Sequence, residues 1–173
     1  MNRLIPHMLA TTATIAMLGL ARPGSAQERP APVAEVHGGT LLFADDSVVK
    51  ENFIGGAGRF YVLPRISIGP EIAYISGSRH SHLMLTGNLT FDLLGSTSGR
   101  PPRVTPFLVA GAGLFQTREQ FPNEIFTHTE GAFTAGGGVR ARVGDAVTVG
   151  GEVRVGWELH LRFSALVGVR LGR

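Results

Sequence analysis

The chain has 173 residues, with 16 Lys and Arg, 13 Asp and Glu, 24 Gly and no Cys. This length suits one domain, and the lack of Cys excludes a disulfide framework, a thiolate metal site and a lipid-modified N-terminal Cys. The glycine share is about twice the usual ~7% and is spread along the chain, which argues against helices, where each interior Gly costs about 1 kcal/mol relative to Ala.

The first 26 residues have the pattern of a secretory signal peptide. Arg3 lies near the start, an apolar run extends from Met8 to Leu20, and the small residues Gly24 and Ala26 suit signal peptidase. The apolar run is too short to span a bilayer as a helix, which needs about 20 residues. We therefore predict a signal peptide over 1–26, a flexible leader over 27–32 and one domain over 33–173. A retained N-terminal anchor is the alternative.

The charge of the mature chain bears on its partners. Removing Arg3 and Arg22 from the 16 basic residues leaves 14, against 13 acidic residues, a net charge of +1. This near-neutral charge is not the electrostatic footprint of a nucleic-acid binder, so no nucleic-acid partner is predicted.

From Val33 onward the sequence alternates between apolar and polar or small residues, which is the signal of β-strands. Segments 33–43, 53–63 and 104–116 have the right length, but their faces are ambiguous. The alternation holds in segment 66–75 and is clearest in segments 82–93, 133–143, 147–157 and 160–171. We predict about eight strands of about ten residues, as in the smallest outer-membrane barrels.

The polar face of the last three predicted strands indicates which side of the barrel faces water. It carries many charges beside several glycines: Arg140, Arg142, Glu152, Arg154, Arg162 and Arg170. Glycine makes room for long side chains in a narrow interior, whereas on a solvent-facing strand it weakens strand propensity. We therefore predict a membrane barrel, apolar outside and polar inside. A soluble lipocalin-like carrier with an apolar ligand cavity is the alternative.

The connections offer an independent test of this topology. With the N-terminus in the periplasm, connections 44–51, 77–81, 117–130 and 158–159 lie outside the cell, and connections 64–65, 95–103 and 144–145 lie in the periplasm. Barrels of this kind have short periplasmic turns and longer outer loops. The pattern fits, with 95–103 as the exception.

Several segments resemble a known family. They are TPFLVAGAGLF from Thr105, GAFTAGGGVRARVGDAVTVGGEVRVGW from Gly131, the closing FSALVGVRLGR, and GPEIAYISG at 69–77. Together they resemble the small OmpA/OmpX-like outer-membrane β-barrel proteins over nearly the whole mature chain. The resemblance implies a monomeric eight-stranded barrel, inserted by the barrel-assembly machinery and surrounded by outer-membrane lipid and lipopolysaccharide. The motifs that carry it are recurring glycine and aromatic residues and not catalytic signatures, so they indicate a fold and a location but no activity. Such barrels usually end on an aromatic residue, and this chain departs from that pattern at Arg173.

Charges on the predicted luminal face form the main candidate site. Unpaired charges in a narrow, dry interior are very costly, so we expect these side chains to form an ion-pair network that fills the lumen. An eight-stranded barrel has an interior just filled by side chains. A selectivity or gating network for small anions is the alternative. The predicted members are Glu71, Asp92, Arg140, Arg142, Glu152, Arg154, Arg162 and Arg170, with Arg59 on an ambiguous face.

No metal or other cofactor is predicted. His80 and His82 alternate near an outer loop and could face one ion, but two ligands without a third indicate solvated loop histidines instead. Asp45 and Asp46 lack the ligand spacing of a calcium loop.

No catalytic residues are predicted either. His160 and Ser164 share a face, with Glu152 on the neighbouring strand, a set that resembles a Ser-His-acid arrangement. That face is predicted to be luminal, where lipid has no access, so the three residues are not predicted to be catalytic. An outer-membrane lipid-modifying enzyme is the alternative. The glycine clusters 55–58 and 136–138 are not phosphate loops, because neither opens a helix after a strand.

The predicted loop 117–130 carries Phe121, Ile125 and Phe126 among charged residues. Exposed apolar residues on an outer loop are candidates for contact with a host protein, lipopolysaccharide or another cell. A loop folded over the mouth of the barrel is the alternative.

Overall fold

The computed structural model describes residues 29–44, 48–77, 80–95, 102–120, 125–157 and 160–172. The predicted signal peptide lies outside these residues. In the described residues the chain forms β1 (Val33–Ala44), β2 (Val48–Leu63), β3 (Ile66–Ser76), β4 (His80–Asp92), β5 (Val104–Gln120), β6 (Ile125–Val143), β7 (Val147–Gly156) and β8 (His160–Arg170). None of the described residues forms a helix long and apolar enough to cross a membrane.

The strands form one closed antiparallel barrel. Each strand pairs with the next in sequence, and β8 pairs back with β1, from Val33 opposite Arg170 to Phe43 opposite His160. Closure gives every strand a partner on both sides and so removes the exposed edges of an open sheet. The predicted eight-stranded up-and-down barrel is confirmed.

Three strands, β2, β5 and β6, are clearly longer than predicted. β2 begins at Val48, inside the predicted connection 44–51, and the prediction of a long loop over 117–130 was largely wrong. β5 continues to Gln120 and β6 begins at Ile125, with Thr117 opposite His128 and Glu119 opposite Phe126. The sequence there no longer alternates between apolar and polar, so periodicity did not identify it as strand. β5 stays paired with β4 up to Glu119, opposite His80, whereas β6 pairs with β7 only from Thr134, so the first residues of β6 extend past their neighbour. A strand end that is not packed on one apolar face does not need that alternation.

The two ends of the barrel differ, and we name them by their connections. The turn end carries the 64–65 and 144–146 turns; the loop end carries the connections from β1 to β2, β3 to β4, β5 to β6 and β7 to β8. At the turn end, Gly144 has a φ of 70°, a conformation that side chains with a Cβ disfavour. Arg65 Nε donates to the Asp92 carbonyl at 2.8 Å, which ties the 64–65 turn to the end of β4.

The exterior of the barrel is apolar. Outward residues on six of the strands include Ile54, Ile72, Leu85, Leu108, Val155 and Val167, and all are exposed. β3 has 11 residues, which corresponds to a length of about 36 Å and a rise of roughly 28 Å at a tilt of ~40°. This rise matches the apolar band of ~25 Å that a transmembrane barrel presents to lipid.

Inward-facing glycines make space for the side chains that fill the barrel. A Cβ on Gly168 would lie 3.1 Å from Glu35 Cγ, and one on Gly138 would lie 2.8 Å from Phe107 Cζ. Because the neighbouring side chains already occupy these positions, the glycine-rich strands and the bulky luminal residues depend on each other. The expected role of glycine in the interior is visible at these two positions.

Candidate functional site

The centre of the lumen is filled by five polar side chains, which we call the central cluster: Glu71, Asn88, Glu152, Arg154 and Arg162. Arg154 makes two bonds with Glu152, from Nε to Oε1 at 2.6 Å and from Nη2 to Oε2 at 2.9 Å. Its Nη2 also lies 3.0 Å from Glu71 Oε2. Arg162 joins the same two carboxylates, at 2.5 Å from Glu71 Oε1 and 3.0 Å from Glu152 Oε1. Asn88 Nδ2 donates to Glu71 Oε2 at 2.7 Å.

The central cluster is balanced in charge. Two carboxylates, Glu71 and Glu152, face two guanidinium groups, Arg154 and Arg162, and all four residues are buried. Forked guanidinium–carboxylate bonds are among the strongest polar contacts in proteins and hold both partners in a fixed geometry. The four side chains are therefore linked to one another as one network.

A second set of charges, the turn-end cluster, lies nearer the turns and consists of Glu35, Arg59, Tyr61, Asp92 and Arg140. Glu35 Oε1 lies 2.8 Å from Arg59 Nη2 and 3.2 Å from Arg140 Nε, and Arg140 Nη1 lies 3.4 Å from Asp92 Oδ1. The Tyr61 hydroxyl accepts from Arg59 at 2.8 Å and donates to Asp92 at 3.1 Å. This cluster too has two carboxylates and two guanidinium groups.

Apolar side chains pack beside both clusters inside the lumen, which the alternation did not predict. One buried group contains Leu41, Phe53, Ala73, Ile75, Met84, Phe115 and Ala132. The Arg162 guanidinium lies 5.1 Å from the centre of the Phe53 ring, so this group borders the central cluster. A smaller group contains Phe107, Val109 and Leu166, and Arg140 lies 3.5 Å from the Phe107 ring centre.

The structure distributes the predicted luminal charges over three places. Glu71, Glu152, Arg154 and Arg162 belong to the central cluster, while Asp92 and Arg140 belong to the turn-end cluster. Arg142 and Arg170 are half-buried at the turn end, where they line a cavity of about 110 Å³.

A third polar group lies at the loop end and joins β2 to β4. The Glu51 carboxylate contacts the His80 ring through Oε1, and its Oε2 lies 3.6 Å from His82 Nε2. His82 Nδ1 forms a hydrogen bond with Thr117 Oγ1 at 2.9 Å. The interpretation of His80 and His82 as loop residues was wrong, because β4 begins at His80 and both residues are half-buried beside Glu51.

The residues considered for a Ser-His-acid arrangement are not assembled into one. His160 Nδ1 donates to the Trp157 carbonyl at 2.6 Å, and Glu152 is bonded to Arg154 and Arg162. Within the described part of the chain, Ser164 Oγ and His160 Nε2 have no hydrogen-bond partner. His160 and Ser164 are four residues apart on β8, about 13 Å along a strand, which is too far for a direct hydrogen bond.

Two of the three predicted contact residues, Ile125 and Phe126, lie on β6 near the tip of the β5–β6 hairpin. Phe126 is 57% exposed on β6, and Ile125 begins that strand. Phe121 lies outside the described residues. β6 pairs with β7 only from Thr134 to Val143, so its first nine residues, 125–133, extend past β7. Nine strand residues correspond to about 30 Å.

Several site residues were missed, Glu35 and His37 because the faces of their strand were ambiguous, and Glu51 because it was assigned to the predicted connection 44–51. Glu35 and His37 are two residues apart on β1, as are Glu51 and Phe53 on β2, and all four are buried. The two-residue spacing was present in the sequence, but nearby small residues such as Ala34, Gly38 and Gly39 weakened the contrast between the faces of β1. Assigning the acidic residues to the lumen throughout would have found Glu35 and Glu51 from the cost of leaving a charge in lipid.

No protein-family model matches the sequence, and no curated protein is detectably similar to it. Solved structures are similar. Neisserial surface protein A shares 13% identity, with a TM-score of 0.69, over 81% of this chain and 97% of that one. The N-terminal β-barrel domain of Pseudomonas aeruginosa OprF shares 9%, with a TM-score of 0.67, over 83% and 100%. Ail, the attachment invasion locus protein of Yersinia pestis, shares 8%, with a TM-score of 0.58, over 83% and 99%.

These similar structures are small eight-stranded outer-membrane barrels, and they support the same fold for this chain. At such low identity the likeness concerns the fold and not the side chains of the lumen or the loop end.

Proposed function

We propose that this protein is a bacterial outer-membrane β-barrel with a lumen closed by side chains, and that it has a structural or surface-interaction role through its loop end. The observation that carries the proposal is the inverted polarity of the barrel. Ile72 on the exterior is 50% exposed, whereas Arg162 in the lumen is fully buried and ion-paired. In water this arrangement would leave a broad apolar surface uncovered, whereas a bilayer covers it.

The filling of the lumen supports a barrel that does not conduct. The central and turn-end clusters each pair two carboxylates with two guanidinium groups, so neither presents a net charge that would attract a small anion. The group around Leu41 and Phe53 places an apolar layer next to the central cluster. An ion crossing the barrel would have to break these contacts and lose its hydration beside apolar side chains.

The β5–β6 hairpin supports a surface-interaction role. It extends about nine residues past β7 and carries the exposed Phe126 near its tip. Two structural neighbours are named as a surface protein (Neisserial surface protein A) and an attachment invasion locus protein (Ail), which is in keeping with such a role. Its partner would be a host protein, lipopolysaccharide or another cell.

The proposal includes an orientation and an assembly route. The loop end faces outward and the turn end faces the periplasm, because barrels of this type place their short turns there. The barrel-assembly machinery inserts the chain as a monomer, and outer-membrane lipid and lipopolysaccharide surround it. A catalytic role is not proposed, since His160, Ser164 and Glu152 do not form a working set.

The primary test is heat modifiability of the full chain in outer-membrane fractions. A folded membrane barrel is expected to run faster on a gel when unboiled than after boiling. Recovery of the protein in the soluble periplasmic fraction, with no mobility difference, would contradict the membrane location.

The orientation has its own test, which uses the absence of Cys from the chain. Thr127 on the hairpin and Asp145 in the turn-end loop are both exposed. A membrane-impermeant maleimide is expected to label Thr127→Cys in intact cells and Asp145→Cys only after the outer membrane is permeabilised. The reverse pattern would overturn the orientation, and equal labelling of both in intact cells would overturn insertion across the membrane.

The surface role is tested by adhesion of expressing cells to host-cell layers. We expect Phe126→Ser to reduce adhesion relative to the wild type. The matched control is Phe60→Ser, which alters an exposed aromatic residue near the turn end. Equal adhesion of cells with and without the protein would remove the interaction role and leave a structural one.

A further inference from the structure

At the loop end, three side chains that suit a transition metal converge from two strands that are not neighbours. Glu51 lies on β2, His80 and His82 lie on β4, and one ligand atom from each lies within 4.8 Å of the others. Two imidazole nitrogens and one carboxylate oxygen are a recurrent zinc-binding set, and they leave a fourth position for water. We propose that this group, which we call the His-Glu site, binds one zinc ion.

The burial of Glu51 is the strongest sign of a ligand-binding role. Its side chain is 1% exposed, and among the described residues its Oε2 accepts no hydrogen bond. A buried carboxylate oxygen without such a partner is costly, and the ion-pair partners of Glu51 are His80 and His82, which are charged only when protonated. A divalent cation would satisfy both carboxylate oxygens and allow both histidines to remain neutral.

The surroundings of His82 favour coordination through Nε2. Its Nδ1 forms a hydrogen bond with Thr117 Oγ1 at 2.9 Å, and its ring stacks on Phe115 at 4.8 Å between centroids. With Nδ1–H donating to Thr117, the lone pair of the ring lies on Nε2, which is directed toward Glu51 Oε2 at 3.6 Å. A hydrogen bond to the second ring nitrogen is what fixes metal-binding histidines in proteins.

The site has both space and access. His80 is 33% exposed at its side chain and His82 is 11% exposed, so an ion can enter from the loop end. A Cβ on Gly77 would lie 2.6 Å from His80 Nε2, so glycine at this position provides the volume that the site occupies. Ligand atoms around a tetrahedral zinc ion lie about 3.4 Å apart, so small rotations of these side chains would close the observed group onto an ion.

The test is zinc titration of the full chain, without a polyhistidine tag, folded in detergent and followed by calorimetry. We expect one zinc ion per barrel, and we expect Glu51→Gln and His82→Ala each to weaken binding at least tenfold. The matched control is His128→Ala, which removes an exposed histidine of the same end from outside the site. The control is expected to bind like the wild type.

Two results would overturn the proposal. One is the absence of saturable zinc binding by the wild type; the other is equal weakening by His128→Ala, which would indicate diffuse binding to histidines around the mouth. Because a variant can fail to fold, the wild type is also titrated with Co²⁺. Visible absorption bands of a tetrahedral complex, displaced by zinc, are expected, and their absence would count against the site.

Discussion

Arg162 Nη1 lies 2.5 Å from Glu71 Oε1, although the two residues are 91 positions apart in the sequence and lie on β8 and β3. The contact crosses the lumen, and both side chains are fully buried. It therefore links two strands that do not pair through their backbones. In a closed sheet this cross-lumen bond depends on the whole barrel having formed.

The pair predicts an asymmetric response to mutation. Arg162→Met should lower the free energy of unfolding by about 3 kcal/mol, because it leaves the central cluster with an uncompensated carboxylate. Adding Glu71→Leu restores equal numbers of charges, so the double variant should lose less than the two single variants together, by about 1–3 kcal/mol. Denaturant unfolding of the barrel in lipid vesicles measures these differences.

An exposed arginine provides the control for this cycle. Arg118→Met alters an exposed side chain on β5 and should change the free energy of unfolding by less than about 0.5 kcal/mol. Losses that add exactly in the double variant would show that Arg162 and Glu71 are energetically independent despite their contact.

The glycines of β6 predict a position-dependent effect of one added methyl group. A Cβ on Gly136 would lie 2.7 Å from Arg154 Cα and 2.9 Å from the Val153 carbonyl carbon, so the strand backbones would have to separate. Gly136→Ala should therefore reduce the yield of folded, heat-modifiable barrel several-fold. Gly131→Ala is the matched control on the same strand, since nothing lies within 4 Å of a Cβ there. Equal yields from the two variants would contradict the tight backbone approach at Gly136.

The packed lumen predicts that the folded protein does not form a stable channel. The central cluster and the apolar group beside Phe53 are both buried in the lumen and lie next to each other. In planar bilayers we expect no steady conductance above the lipid background, with a larger porin reconstituted in parallel as the positive control. Discrete anion-selective openings would instead support a gating role for the arginines.

The fold could be predicted further than the site, and the reason is physical. Alternation between lipid-facing and luminal residues is enforced along the barrel, so Leu83 and Met84 reveal their faces by sequence position. Which luminal side chains meet each other depends instead on the shear and tilt of the whole barrel, and the sequence of a single strand does not determine these. The contact between Arg162 and Glu71 follows from closure of the whole sheet and had no local signal.

At the loop end, too, contacts between strands could not be predicted from the sequence. His80 and His82 were visible as a spaced pair, but their third partner, Glu51, lies on β2 and meets them across β3. Glu51 was assigned to the predicted connection 44–51, because the strand was predicted to begin only at Phe53, where Gly55 and Ala57 already weaken the alternation. Small residues contribute little to the apolar–polar alternation, so the alternation did not show where this strand begins or which way its residues face.

The exterior gives the most direct test of the membrane environment through two matched substitutions. Ile72, near the middle of β3, and Phe126, near the hairpin tip, are both exposed apolar residues, at 50% and 57%. In a bilayer, Ile72→Arg should lower the free energy of unfolding by about 2–4 kcal/mol, because it places a charge at the midplane, whereas a charge near the interface costs about 0–1 kcal/mol. Phe126→Arg should therefore have a small effect. Vesicle unfolding measures both variants, and a soluble barrel would tolerate the two substitutions equally, since each would place arginine in water.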